Sequence, residues 1–226
     1  MKFQPYQGLD VSVVDTGAGD RAVLVLHGGS GPRGVASIVD HFAARGSRVL
    51  APTHPGWDGT HRPEWFTGVD SLATIYLDLL EDEKLHDVTV VASSFGGWVA
   101  AEMAVRDRAR LIGRIVVLDG IGPQIDGFRI EPPRGGGRGP SESDIANMLA
   151  YTGTGMNDPK LMRRLARVTA PALFIWGADD VVVPPEFGRR YADAFPDSRF
   201  VVVPNAGHMP ALEQPEVTFG LIDDFV

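Results

Sequence analysis

Three runs of this chain are apolar without alternation: VLVL (23–26), VTVV (88–91) and IVVL (115–118). Successive side chains of a strand point to opposite faces, so such runs are apolar on both sides and must be covered on both. Central strands of a parallel sheet flanked by two layers of helices meet that demand. The rest of the chain supplies the covering. Arg33–Arg45, Val69–Glu83, Phe95–Arg106, Glu186–Phe195 and Pro215–Val226 read as helices, the second carrying Leu72, Ile75, Leu79 and Leu80 near helical spacing. Between them VSVVD (11–15), RAVLVLHG (21–28), SRVLAP (47–52), VTVVAS (88–93), LIGRIVVLDG (111–120), APALFIWG (170–177) and RFVVVP (199–204) read as strands. Repeated strand–helix alternation predicts an α/β fold, a doubly wound and mostly parallel sheet.

A chain of 226 residues with 44% hydrophobic and 22% charged residues can bury one full core. Its net charge of −8 argues against nucleic acid and against an anionic membrane as partners. The absence of cysteine excludes disulfides, thiolate metal sites and a cysteine nucleophile. No apolar run approaches the ~20 residues that cross a bilayer, and MKFQPYQGLD (1–10) lacks the layout of a signal peptide. The expectation is a cytoplasmic chain. Oligomeric state has no basis in the sequence, which leaves a homodimer open.

One segment breaks the rhythm. From Ile121 to Lys160 no strand is expected, giving a core of 1–120 and 161–226 interrupted by a short lid at 121–160. Its first half is rich in proline and glycine, and RGGGRG (134–139) reads as mobile. Ser141, Ser143 and Asp144 mark a helix start in SESDIANMLAY (141–151). A connection of that length inside a compact domain is more often functional than idle.

Chemistry concentrates in three loops that follow strands. VVASSFGGW (90–98) places Ser94 between a strand and a helix, with Ala92 and Gly96 as small residues two places either side. A turn that sharp exposes a serine hydroxyl and needs small neighbours where strand and helix pass closely. Ser93 ends the strand and reads as a satisfied strand-end hydroxyl. WGADDVVVP (176–184) supplies two aspartates, Asp180 preferred over Asp179, and NAGHMPALEQP (205–215) supplies His208. Nucleophilic catalysis by serine needs a base, an acid orienting that base, and oxyanion donors. HGGSGP (27–32) offers those donors, with the Gly29 N–H joining that of Phe95. No Gly-Lys-Ser/Thr follows, so a phosphate loop is a poor reading.

These residues resemble the α/β-hydrolase superfamily. HGGSG, LAPTHPGW, VVASSFGGW, WGADDVVVP and NAGHMPALEQP occur in its order and spacing, most like the lipase/esterase and C–C-bond hydrolase-like branch, over about residues 9–226. The resemblance implies an eight-stranded sheet, with a lid between strands six and seven, where 121–160 falls. It assigns Ser94 as nucleophile, His208 as base and Asp180 as the orienting acid, with Gly29 and Phe95 as oxyanion donors. Ala92 departs from the pattern, where glycine is usual. The lid is also shorter than many, which implies a more open pocket.

Other residues are weighed around this set. Trp57 reads as a pocket wall or, equally, an aromatic loop anchor. His27 reads as a buttress of the glycine loop rather than a base. Met209, Met148 and Tyr151 are substrate-binding candidates, with Phe128 and Ile130 as further apolar lid residues, although any lid needs such groups to adhere to its domain. Trp98 and Met103 read as core. His54 and His61 lack partners at ligand spacing, so no metal is expected, and no cofactor. The expected activity is hydrolysis of a small-molecule carboxylic ester or related acyl compound through an acyl-enzyme. The alternatives are C–C-bond hydrolysis of a β-diketone-like substrate, peroxide in place of water, or a ligand-binding, receptor-like chain without turnover.

Overall fold

The computed structural model describes residues 1–131 and 140–226. The expectation for RGGGRG (134–139) lies outside the described residues. In chain order the elements are β1 (Lys2–Tyr6), β2 (Leu9–Thr16), β3 (Ala22–Leu26), a single 3₁₀ turn (Pro32–Val35), α1 (Ala36–Ala44), β4 (Arg48–Pro52), α2 (Val69–Asp82), β5 (Val88–Ser93), α3 (Phe95–Arg106) and β6 (Ile112–Leu118). Then come β7 (Gly122–Pro123), α4 (Glu142–Thr152), β8 (Asn157–Asp158), α5 (Leu161–Leu165), β9 (Ala172–Gly177), α6 (Pro185–Ala192), β10 (Ser198–Val203), α7 (Pro210–Glu213) and α8 (Pro215–Asp223).

Eight strands form one sheet in the order β1-β2-β4-β3-β5-β6-β9-β10. The β1–β2 and β2–β4 pairs are antiparallel, and every later pair is parallel. The doubly apolar runs take the places their composition demands. β3, β5 and β9 are buried along their whole length. One apolar layer, with Leu24, Leu26, Val90 and Val117, packs under α2 and α3; a second, with Val23, Val25, Val91 and Val116, packs under α1 and α8. α2 turns Leu72, Ile75, Tyr76, Leu79 and Leu80 inward, the stripe its spacing predicts.

The segment between β6 and β9 differs from expectation in one respect. Two-residue strands β7 and β8 pair in parallel, Gly122 with Asn157 and Pro123 with Asp158, where no strand is expected. Strands this short leave no periodic signal. α4 begins where the sequence predicts. Ser141 caps it by accepting from the Asp144 N–H, and the Asp144 side chain returns to the Ser141 N–H, a capping box. α4 is tied to the core by the Tyr151 hydroxyl donating to the Pro55 carbonyl (2.9 Å) and by the Asn147 amide donating to the Gly56 carbonyl (2.7 Å). Among the described residues no helix is long and apolar enough to cross a membrane.

Candidate active site

β5 sits at the middle of the sheet, and its carboxyl end delivers Ser94 at the start of α3. The Ser94 backbone is at φ 51°, ψ −116°, a region that costs a non-glycine residue about 1–3 kcal/mol. Packing explains which small residues the turn needs. A methyl group on Gly96 would stand 2.4 Å from the Leu26 carbonyl oxygen, so only glycine fits there. On Gly97 it would meet the Gly120 Cα at 2.9 Å. Ala92, by contrast, is a fully buried strand residue paired with Leu26 and Val117, and its methyl is accommodated.

Three residues from three loops meet. The Ser94 Oγ lies 2.8 Å from His208 Nε2, and His208 Nδ1 lies 2.8 Å from Asp180 Oδ2. Asp180 is itself held from behind: its Oδ1 accepts from the N–H groups of Val182 (2.7 Å) and Val183 (3.1 Å). Asp179 is exposed and joins the loop only through its backbone, donating to the Ala206 carbonyl. Ser93 is buried at the end of β5 and its hydroxyl makes no bond to His208.

Ser94 and His208 open into a cavity of about 320 Å³. Gly28 and Gly29 border it on one side, Met148 and Met209 on another, with Ile121, Ile130, Met156 and Val182 completing an apolar wall. Glu131 also lines it, and among the described residues no lysine or arginine does. Gly28 presses on the serine, since a methyl there would stand 2.9 Å from Ser94 Cβ. Among the described residues neither the Gly29 nor the Phe95 N–H donates a hydrogen bond.

Two of the candidate binding residues stand elsewhere. Trp57 is fully buried, and its indole N–H donates to the Gly29 carbonyl (2.9 Å), so it anchors the glycine loop. Tyr151 stacks on Trp57, donates its hydroxyl to the Pro55 carbonyl and is not among the residues that line the cavity. Phe128 packs edge-on against Phe187 under the Arg190 guanidinium.

Beneath the glycine loop lies a sealed pair of histidines. His27 and His54 are both fully buried, with ring centroids 3.9 Å apart. His27 Nε2 accepts from the His54 N–H (3.0 Å), which places its proton on Nδ1, donating to the Gly28 carbonyl (2.7 Å). His54 Nε2 donates to the His27 carbonyl (3.0 Å), so its Nδ1 accepts from the Tyr76 hydroxyl (2.6 Å). Burial pushes the His27 imidazole down to about 4. Burial first, and then His27, push His54 well below the ordinary histidine range. Both rings are therefore neutral and committed to holding the loop.

One buried acid beside the site is not among the candidates that the sequence offers. Asp119, at the end of β6, is fully buried, and one of its carboxylate oxygens, one of Asp180 and a ring nitrogen of His208 all lie within 4.8 Å of one another. Among the described residues this is the one cluster of three metal-ligating side chains, and it coincides with the hydrogen-bonded site. Its signal was a carboxylate closing the apolar run IVVLDG, on a strand adjacent to both β5 and β9.

A mixed, mostly parallel sheet with a strained serine after its central strand, hydrogen-bonded to a histidine and through it to an aspartate, defines a hydrolase-type α/β protein. Residues 23–221 match the alpha/beta hydrolase family, and the chain belongs to it. It is 27% identical to a 2-hydroxy-6-oxononadienedioate/2-hydroxy-6-oxononatrienedioate hydrolase of Cupriavidus pinatubonensis, across 94% of this chain and 89% of that one. Among solved structures it is similar to an N-acyl homoserine lactone degrading enzyme, Est816, with a TM-score of 0.83 and 18% identity over all of both chains. It is also similar to a thermophilic esterase from Thermogutta terrifontis, with a TM-score of 0.78 and 22% identity over 96% of this chain and 92% of that one.

Proposed function

We propose that the chain is a serine hydrolase that cleaves a carboxylic ester or related acyl compound through an acyl-enzyme. The observation that carries this reading is the unbroken relay from Ser94 Oγ to His208 Nε2 and from His208 Nδ1 to Asp180 Oδ2, each step 2.8 Å. His208 takes the serine proton as Ser94 attacks the substrate carbonyl, and Asp180 holds the imidazole in the tautomer that can accept it. The Gly29 and Phe95 N–H groups receive the oxyanion, a contribution of about 3 kcal/mol per donor in a comparable enzyme. His208 then returns the proton to the leaving group and activates the water that releases the acid.

The cavity wall supports an uncharged acyl group. Its described lining is apolar apart from Ser30, the polar groups of the site and Glu131, which repels a carboxylate. A C–C-bond hydrolase is the second reading, favoured by the name of the Cupriavidus relative, whose dioate substrate carries two carboxylates. A panel of p-nitrophenyl esters of increasing acyl length, run beside a dioate substrate of that type, separates the two. Turnover of neutral esters, lost in Ser94→Ala, is the expected result. Turnover of the dioate alone would replace the ester reading with the second.

A further inference from the structure

Asp119 has no role in the relay just described, yet it is fully buried beside it. Its backbone is in the left-handed region at φ 46°, and its N–H donates to the Ile175 carbonyl of β9 (3.1 Å). The carboxyl group is thereby held between the ends of β6 and β9. Asp119 Oδ1 accepts from the Gly177 N–H (2.9 Å), while Oδ2 is buried with no hydrogen-bond partner. A buried oxygen without a partner is costly unless a donor or a proton satisfies it. The group beside it is the carboxylate of Asp180.

Two carboxylates in one buried site cannot both ionise cheaply, and a single proton between them converts repulsion into a hydrogen bond. The donors decide which acid keeps that proton. Asp180 receives two backbone N–H bonds and faces His208 Nδ1, whereas Asp119 receives one backbone N–H. The ionised form is therefore better supported at Asp180. The titratable groups facing Asp119 from the packed elements are Asp180, His208 and Glu213 of α7. None of them is a fixed cation that could balance a second negative charge. Burial, followed by the charge of Asp180, raises the Asp119 carboxyl well above the ordinary carboxylate range, in agreement with that count.

We propose that Asp119 is a positioning residue: a neutral carboxylic acid whose Oδ2–H donates to the Asp180 carboxylate and fixes the oxygen that meets His208. This rests on the reading of Asp180 as the acid of the relay, but its test does not require turnover. The imidazole titration of His208 is followed by NMR in the wild type, Asp119→Asn and Asp119→Ala. Asparagine retains both an acceptor for Gly177 and an N–H donor for Asp180 without charge. If Asp119 is neutral, Asp119→Asn leaves the His208 midpoint where it is, within about 0.3 pH unit. Asp119→Ala, which strips the donor from Asp180, moves the midpoint up by about one pH unit. A downward move in Asp119→Asn of about one pH unit or more would mean that a negative charge had been removed, and would overturn the proposal.

An infrared measurement on the unaltered chain guards against a variant that fails to fold. A carboxylic-acid C=O band of the folded protein at pH 7 is expected, sensitive to deuterium. Its absence would overturn the proposal whatever the substrate is. If ester turnover is absent while the band and the titration behave as stated, the catalytic reading fails and the proton assignment stands.

Discussion

Two histidine environments lie at the same edge of the sheet and behave oppositely. His27 and His54 are sealed beneath the glycine loop, with every ring nitrogen committed to a fixed partner. His208 keeps one fifth of its side chain exposed, between a serine and a carboxylate. The side chain is the same. Access and partners separate an imidazole held between fixed backbone and phenol partners from one that faces a serine hydroxyl, as the proposed base must. The contrast also explains why a histidine adjoining the glycine loop is not the base: its nitrogens face backbone, not the serine.

The largest expected effect breaks the contrast on the catalytic side. His208→Ala or Ser94→Ala should reduce ester turnover by about 10⁴-fold or more, with the unfolding midpoint in urea nearly unchanged. His54→Ala should do the reverse to stability, costing about 2–4 kcal/mol by opening a cavity and stranding the Tyr76 hydroxyl and the His27 carbonyl. A destabilised His208→Ala beside an unaffected His54→Ala would show that the two environments have been misread.

Acid sharpens the same comparison. His27 has a folded-state value of about 4 against 6.5 for the ordinary group, so between these values the unfolded chain binds the extra proton. Its contribution is complete above pH 6.5 and is lost progressively as pH falls toward 4, a total of about 3 kcal/mol. Urea midpoints measured from pH 7 to pH 4 should fall accordingly. In His27→Gln that part of the slope should flatten, whereas His208→Gln should leave it in place.

Smaller effects test the surroundings. Tyr151→Phe removes the bond to the Pro55 carbonyl and should cost about 1 kcal/mol, read by thermal unfolding. Ala92→Gly should cost no more than about 1 kcal/mol and keep turnover within about threefold, since the native methyl is accommodated and a glycine only loosens the strand. Gly96→Ala at the other side of the turn should be far worse, because the Leu26 carbonyl occupies that space.

The strands with two apolar faces were readable because burial on both sides leaves no alternation to confuse them. Ser94 and Asp180 drew notice because each follows such a strand in a turn with small residues of steric cause, and His208 because it follows the apolar edge strand β10 in a glycine turn; the three are brought within hydrogen-bond distance. β1 was not expected: its five residues KFQPY include a proline, and it exists by pairing antiparallel with β2 at the sheet edge. Trp57 could not be assigned from sequence between cavity wall and anchor, because the deciding partner, the Gly29 carbonyl, is remote in the chain. Asp119 was missed for a related reason. Its meaning depends on β6 lying beside β9, a neighbour relation that no local pattern encodes.

The most direct test of the central claim is labelling with a fluorophosphonate followed by peptide mass spectrometry. The relay predicts one adduct, on Ser94, absent in Ser94→Ala and formed far more slowly in His208→Ala. A folded wild-type chain that takes no label, or equal labelling of Ser94→Ala, would contradict it.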